Sequence, residues 1–71
     1  MTPEGWEALS LQERRVLRLL AESMPRQEIA IRLGVSRSTV DTHLKRIYAK
    51  LGVHDRMLAA RAYRQATGDD T

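Results

Sequence analysis

Apolar side chains recur along this chain at spacings of three and four, the period of an amphipathic helix, in four stretches separated by glycine, proline or short polar residues. The first begins after Ser10 and runs to about Ser23, with Leu11, Val16, Leu17, Leu20 and Ala21 facing inward and Arg14, Arg15 and Arg18 outside. Ser10 and Glu13 have the spacing of a capping box, in which each residue's side chain accepts the other's backbone amide. The second stretch carries Ile29, Ala30 and Leu33 and stops at Gly34, a residue able to take the left-handed conformation that closes a helix. Pro25-Arg26-Gln27 precede it, and proline suits a first helical turn. The small residues Ala30 and Gly34 suit a close helix crossing, Val35 supplies an apolar plug, and Ser36 can cap the third helix.

The third stretch spans Arg37 to Leu51, with Val40, Leu44, Ile47, Tyr48 and Leu51 on one stripe. Asp55 can cap a fourth from Arg56 to about Ala66, ending before Gly68. The predicted fold is all-α, with four helices. Residues 1–8 form a lead-in, in which Thr2-Pro3-Glu4 can open a helical turn and Trp6 packs back over the domain. Residues 9–66 form the domain, and residues 67–71 read as a disordered tail.

Two short helices joined by a glycine turn and an N-cap serine read as a helix-turn-helix, which places the third helix as a DNA reader. Opposite its apolar stripe fall Ser38, Thr42, Lys45, Arg46 and Ala49, with Asp41 on one flank and Thr39, His43 and Lys50 on the other. A solvated charged face would look much the same in isolation. The register of Ala30, Gly34, Val35 and Ser36 favours the reading helix, whose width fits a major groove about 12 Å across. Lys45 and Thr42 are the expected base readers, and Asp41 can accept from a cytosine amino group or exclude other bases by repulsion. Arg37, Ser38, Thr39, Arg46 and Lys50 are expected to position the helix on phosphates.

Charge agrees with a polyanionic partner: 12 basic against 9 acidic residues give a net +3. Placement says more, because Arg37, Lys45, Arg46 and Lys50 cluster on the proposed reader while Asp69 and Asp70 sit in the tail. With no phenylalanine and three other aromatics, Trp6, Tyr48 and Tyr63, the stacking platforms of single-strand RNA binders are missing. The chain has no cysteine, and its two histidines, His43 and His54, show no ligand pattern, so neither a metal nor another cofactor is expected. His43 is expected to pack partly on the core and to donate to a backbone or phosphate oxygen. General acid or base work would need a second polar group converging with it, and Ser36, Ser38 and Asp41 point elsewhere. Neither an enzyme nor a small-molecule ligand site is expected in this chain. No apolar run reaches the roughly 20 residues of a membrane helix and no signal-peptide pattern opens the chain, so the expected location is cytoplasmic.

Leu9-Ser10 with Glu13, Val16 and Leu17, then Glu28-Ile29-Ala30 and Leu33-Gly34-Val35-Ser36, then Thr39-Val40 and His43, and finally Lys50-Leu51-Gly52-Val53 with Arg56 and Ala59-Ala60 succeed one another in order. Over about residues 9 to 64 the chain resembles the GerE/LuxR-type helix-turn-helix DNA-binding domain. The resemblance implies a four-helix domain that regulates transcription on double-stranded DNA, as a response-regulator output domain or a stand-alone regulator, with scope for contact to RNA polymerase. It also implies a homodimer through the last helix. The residues themselves point the same way: Leu58, Ala59, Ala60, Ala62, Tyr63 and Ala66 span an apolar arc of about 200°, wider than one core face of roughly 100° requires. Leu58, Ala59, Ala62, Tyr63 and Ala66 are therefore the dimerisation candidates. Asp41 stands where a basic residue is common in the family, Pro25-Arg26-Gln27 replace the usual polar cap and lysine, and Leu58 replaces a frequent acid. Two other readings are a sigma-factor promoter-reading domain, which shares the Glu-Ile-Ala step, and a small helical module whose basic face meets an acidic protein.

Overall fold

The computed structural model describes residues 3–68. A short 3-10 turn at Trp6–Ala8 leads into α1 (Leu11–Ala21), α2 (Arg26–Leu33), α3 (Arg37–Leu51) and α4 (Arg56–Thr67), with no strand among the described residues. Thr2 lies outside the described residues, and the lead-in turn falls later than expected, at Glu4-Gly5 and the 3-10 segment after it.

Local chemistry explains the helix ends. Both halves of the capping box are made: Glu13 N donates to Ser10 Oγ at 3.1 Å, and Ser10 N donates to Glu13 Oε1 at 2.9 Å. Two residues earlier than expected, α1 ends, because Ser23 takes a left-handed φ of 65° that helix cannot continue through. Arg56 then closes that end by donating its Nη2 to the Leu20 carbonyl at 3.3 Å and to the Met24 carbonyl. Pro25 occupies the N-cap of α2 without a side-chain bond, and Gly34 ends that helix at φ 68°. Ser36 Oγ accepts from Thr39 N at 3.1 Å, and Asp55 Oδ1 accepts from Leu58 N at 2.9 Å. The fourth helix extends one residue past the expected Ala66. Thr67 belongs to it and donates Oγ1 back to the Tyr63 carbonyl at 3.0 Å, while residues 69–71 of the expected tail lie outside the described residues.

Around the centre, α1 packs against each of the other helices, and α2 packs on α3. The core holds Val16, Leu17 and Leu20 from α1, Ile29 and Ala30 from α2, and Val40, Leu44, Ile47 and Leu51 from α3, with Ala59 and Ala62 from α4. Burying each large aliphatic side chain contributes roughly 1.5 to 3 kcal/mol, a substantial share in a domain this small. Leu11 was expected inside but is 68% exposed, and Leu9 fills the core instead. Helical geometry accounts for it: at about 100° per residue Leu11 falls nearly opposite Val16, Leu17 and Leu20.

Two further expectations are corrected by packing. Ala59 and Ala62 were placed on a dimer surface, yet both are buried, because their small side chains let α4 approach α1. Arg14 was placed outside, yet its guanidinium lies 4.8 Å from the Trp6 ring centroid and donates Nη2 to the Trp6 carbonyl at 3.1 Å. Trp6 also meets Tyr63 edge to face at 6.0 Å, so the lead-in is fastened to α4 as well as to α1. Gly5 completes this attachment. Its φ is 77°, and a Cβ there would stand 1.7 Å from the Lys50 carbonyl oxygen at the end of α3.

Candidate nucleic-acid interface

With Val40, Leu44, Ile47 and Leu51 turned into the core, α3 is left with an outward face free of large apolar groups. Ser38, Thr42, Lys45, Arg46 and Ala49 lie along it, Thr39, Asp41 and His43 sit toward its flanks, and Arg37 is exposed at its N-terminal end. The face offers four kinds of polar group within one helix: guanidinium, ammonium, hydroxyl and carboxylate. Two hydroxyls are already directed. Thr42 Oγ1 donates to the Ser38 carbonyl at 3.1 Å, which leaves its oxygen as an acceptor and its methyl as an apolar contact. Thr39 Oγ1 lies 2.9 Å from the Ser36 hydroxyl, so it belongs to the cap of α3 as much as to the outer face.

Arg26 joins this face from α2. Its Nη1 lies 3.3 Å from Asp41 Oδ1, and Lys45, Leu44 and Tyr48 line the same cleft of about 300 Å³. Burial pushes the Tyr48 phenol above its ordinary range, only partly offset by the Arg26 and Arg56 charges. Arg26 escapes a reading from sequence, because its partner lies fifteen positions away on another helix. The opposite charges of Arg26 and Asp41, at the two positions that both break the family pattern, were the available signal.

Lys50 has a partner that the sequence does not reveal. Its Nζ donates to Glu13 Oε1 at 2.7 Å, at the far end of the capping box, rather than pointing outward with Lys45 and Arg46. Glu13 is 3% exposed, and burial alone would push its carboxyl up. The Lys50 ammonium, with the Ser10 amide and hydroxyl, outweighs burial and holds the group below its ordinary value. Sequence spacing identifies the Glu13 cap but not this second partner 37 positions away. His43 packs partly on the core, as expected. It is half-buried, but its Nδ1 has no hydrogen-bond partner among the described residues.

On α4, Leu58 is 42% and Met57 is 78% exposed, successive residues of the first turn. Tyr63 and Ala66 are half-buried, Tyr63 lying against Trp6. The exposed large apolar side chains of α4 are therefore Leu58 and Met57, the latter not singled out by the sequence, while Ala59 and Ala62 are buried. Among the described residues there is no group of acidic, histidine or cysteine side chains able to hold a metal ion, and no helix is long and apolar enough to cross a membrane.

The chain is 49% identical over 53 residues to a protein of Mycobacterium tuberculosis described as an HTH-type transcriptional regulator, covering 75% of this chain and 6% of that protein. It is 47% identical over 53 residues to the transcriptional regulatory protein SgaR of Hyphomicrobium methylovorum, covering 75% of this chain and 25% of SgaR. It is 50% identical over 58 residues to the transcriptional regulatory protein NarL of Mycobacterium tuberculosis, covering 80% of this chain and 27% of NarL. The chain thus spans a quarter or less of the length of the first two relatives and little more of the third. The model of the GerE family, bacterial regulatory proteins of the luxR family, matches residues 7–63, from the 3-10 turn to the middle of α4. The chain belongs to this family, the luxR family of bacterial regulatory proteins, and α2 and α3 form its helix-turn-helix.

Proposed function

We propose that the protein regulates transcription by laying α3 in the major groove of a specific duplex sequence, as a homodimer on two half-sites. The observation that carries this reading is the outward face of α3, where Ser38, Thr42, Lys45 and Arg46 stand together and no large apolar side chain intervenes. Lys45 and Thr42 read base edges; Thr42, as an acceptor with a methyl, suits an amino group or a thymine methyl. Asp41 accepts from cytosine. Arg37, Ser38, Thr39 and Arg46 hold phosphates, and Lys50 has two N–H groups beyond its bond to Glu13 to offer another. Pairing of two copies runs through the exposed Leu58 and Met57, with Tyr63 and Ala66 at the margin. The role is non-catalytic, exercised on DNA in the cytoplasm, and any contact to RNA polymerase is made by surfaces that the duplex leaves open.

Selection of bound sites from random duplexes tests the reading. The expected result is an enriched sequence with two related half-sites, which Lys45→Ala binds with a loss of about 1 to 3 kcal/mol and a relaxed preference at one base pair. Equal affinity for selected and random duplexes would reject it in favour of a basic module for acidic proteins. The sigma-factor alternative predicts DNA binding that survives disruption of the exposed surface of α4.

A further inference from the structure

Asp41 is the one acidic residue of α3, and the structure gives it a fixed companion. Arg26, the first residue of α2, places Nη1 3.3 Å from Asp41 Oδ1. An aspartate carboxylate stands only two carbons from its own helix, so the guanidinium it holds lies beside the outward face of α3 although α2 carries it. Side-chain exposures of 48% and 43% leave both groups open to a ligand. A guanidinium has five N–H donors and a carboxylate about four acceptor sites, so one mutual bond leaves both with capacity.

An acceptor beside a planar fork of donors matches one base-pair edge best. In the major groove a C·G pair presents the cytosine N4 amino group next to guanine O6 and N7, whereas an A·T pair offers no adjacent pair of acceptors on one base. We propose that Arg26 is a specificity-determining residue: Asp41 accepts from cytosine N4 while Arg26 donates to guanine O6 and N7, and the two together select a C·G pair. This rests on the proposed docking of α3 in the major groove. The competing use of Arg26 is a phosphate contact, which the carboxylate 3.3 Å away weakens by repelling the same phosphate.

The test uses the 71-residue chain, its selected duplex, and variants of that duplex with each base pair substituted in turn. Wild type is expected to show one C·G position per half-site where substitution weakens binding roughly 5- to 150-fold. Arg26→Lys keeps the charge but not the planar fork, so it is expected to weaken the preference there and to retain it at every other position. Asp41→Asn is expected to move the preference at that position toward adenine, which an amide pairs with through N6 and N7. An Arg26→Lys protein as selective as wild type everywhere, or an Asp41→Asn protein with unchanged preference, overturns the assignment while leaving the proposed function standing. Wild type that enriches no sequence overturns both.

Discussion

Lys50 and Glu13 show how one contact can change what a surface charge is for. Replacing Lys50 with alanine leaves a carboxylate that is 3% exposed with the Ser10 contacts alone, an uncompensated group whose burial costs about 1 to 3 kcal/mol. Chemical denaturation of Lys50→Ala should therefore show lost stability, and its duplex binding should be compared at a temperature where it remains folded. Acid gives a second readout. Because the Glu13 carboxyl is held below its ordinary value of 4.5, the unfolded chain binds the proton first, and its contribution to stability is present above that value and lost as pH falls through the lowered one. Glu13→Gln should be less stable than wild type near neutrality and lose less stability on acidification below pH 4.5; parallel pH curves for the two proteins would refute the coupling. Gly5 is the other decisive single residue. With a Cβ 1.7 Å from the Lys50 carbonyl and a φ of 77°, Gly5→Ala should lower the melting temperature, at a cost of about 1 to 3 kcal/mol typical of overpacking. An unchanged melting temperature would mean that the lead-in adds nothing to the fold.

Among the elements, the helix-turn-helix is held by two small residues acting for different reasons. Ala30 is buried where α2 meets α3, so Ala30→Leu should destabilise by about 1 to 3 kcal/mol through overpacking. A Cβ on Gly34 would meet nothing within 4 Å, so its requirement is conformational, not steric as the spacing with Ala30 suggests. Gly34→Ala should cost about 1 to 2 kcal/mol from the left-handed backbone, and Gly34→Asn less; thermal melts of the three variants separate the two causes. The same distinction between local and tertiary causes divides what could be read from the sequence. Ser10, Ser36 and Asp55 cap helices through residues three positions away, so the helix starts are legible from the chain. The apolar stripe of α3 is equally legible, because a period of 3.6 fixes it. On α4 the period marks a broad apolar arc but cannot say which part α1 covers, and hence Ala59 and Ala62 were assigned outward. Arg26–Asp41 and Glu13–Lys50 join residues 15 and 37 positions apart, a proximity that exists only once α2, α3 and α1 are packed.

For the whole molecule, the question is how a body of 33 × 23 × 20 Å reads enough sequence to act at one site. A single helix touches only a few base pairs, and two half-sites multiply the discrimination. The proposed dimer requires reading helices about one helical turn of DNA apart, about 34 Å, a spacing of the same order as the longest dimension of one copy. The proposed pairing through α4 requires apolar surface that one copy leaves open, and Leu58 and Met57 are the large apolar side chains exposed there. Leu58→Glu is a clean probe because the side chain is 42% exposed, whereas a charge at the buried Ala62 would disturb the core and confuse unfolding with dissociation. The expected outcome is an unchanged circular dichroism spectrum, monomers in sedimentation, weaker binding to the full site and nearly unchanged binding to one half-site. Inserting about 5 base pairs between half-sites turns one of them to the opposite face of the duplex and should weaken wild type by the same route. A protein that sediments as a monomer, binds an unpaired site, and ignores both the insertion and Leu58→Glu would refute the paired arrangement; α3 would then read DNA alone, and the exposed turn of α4 would need another explanation.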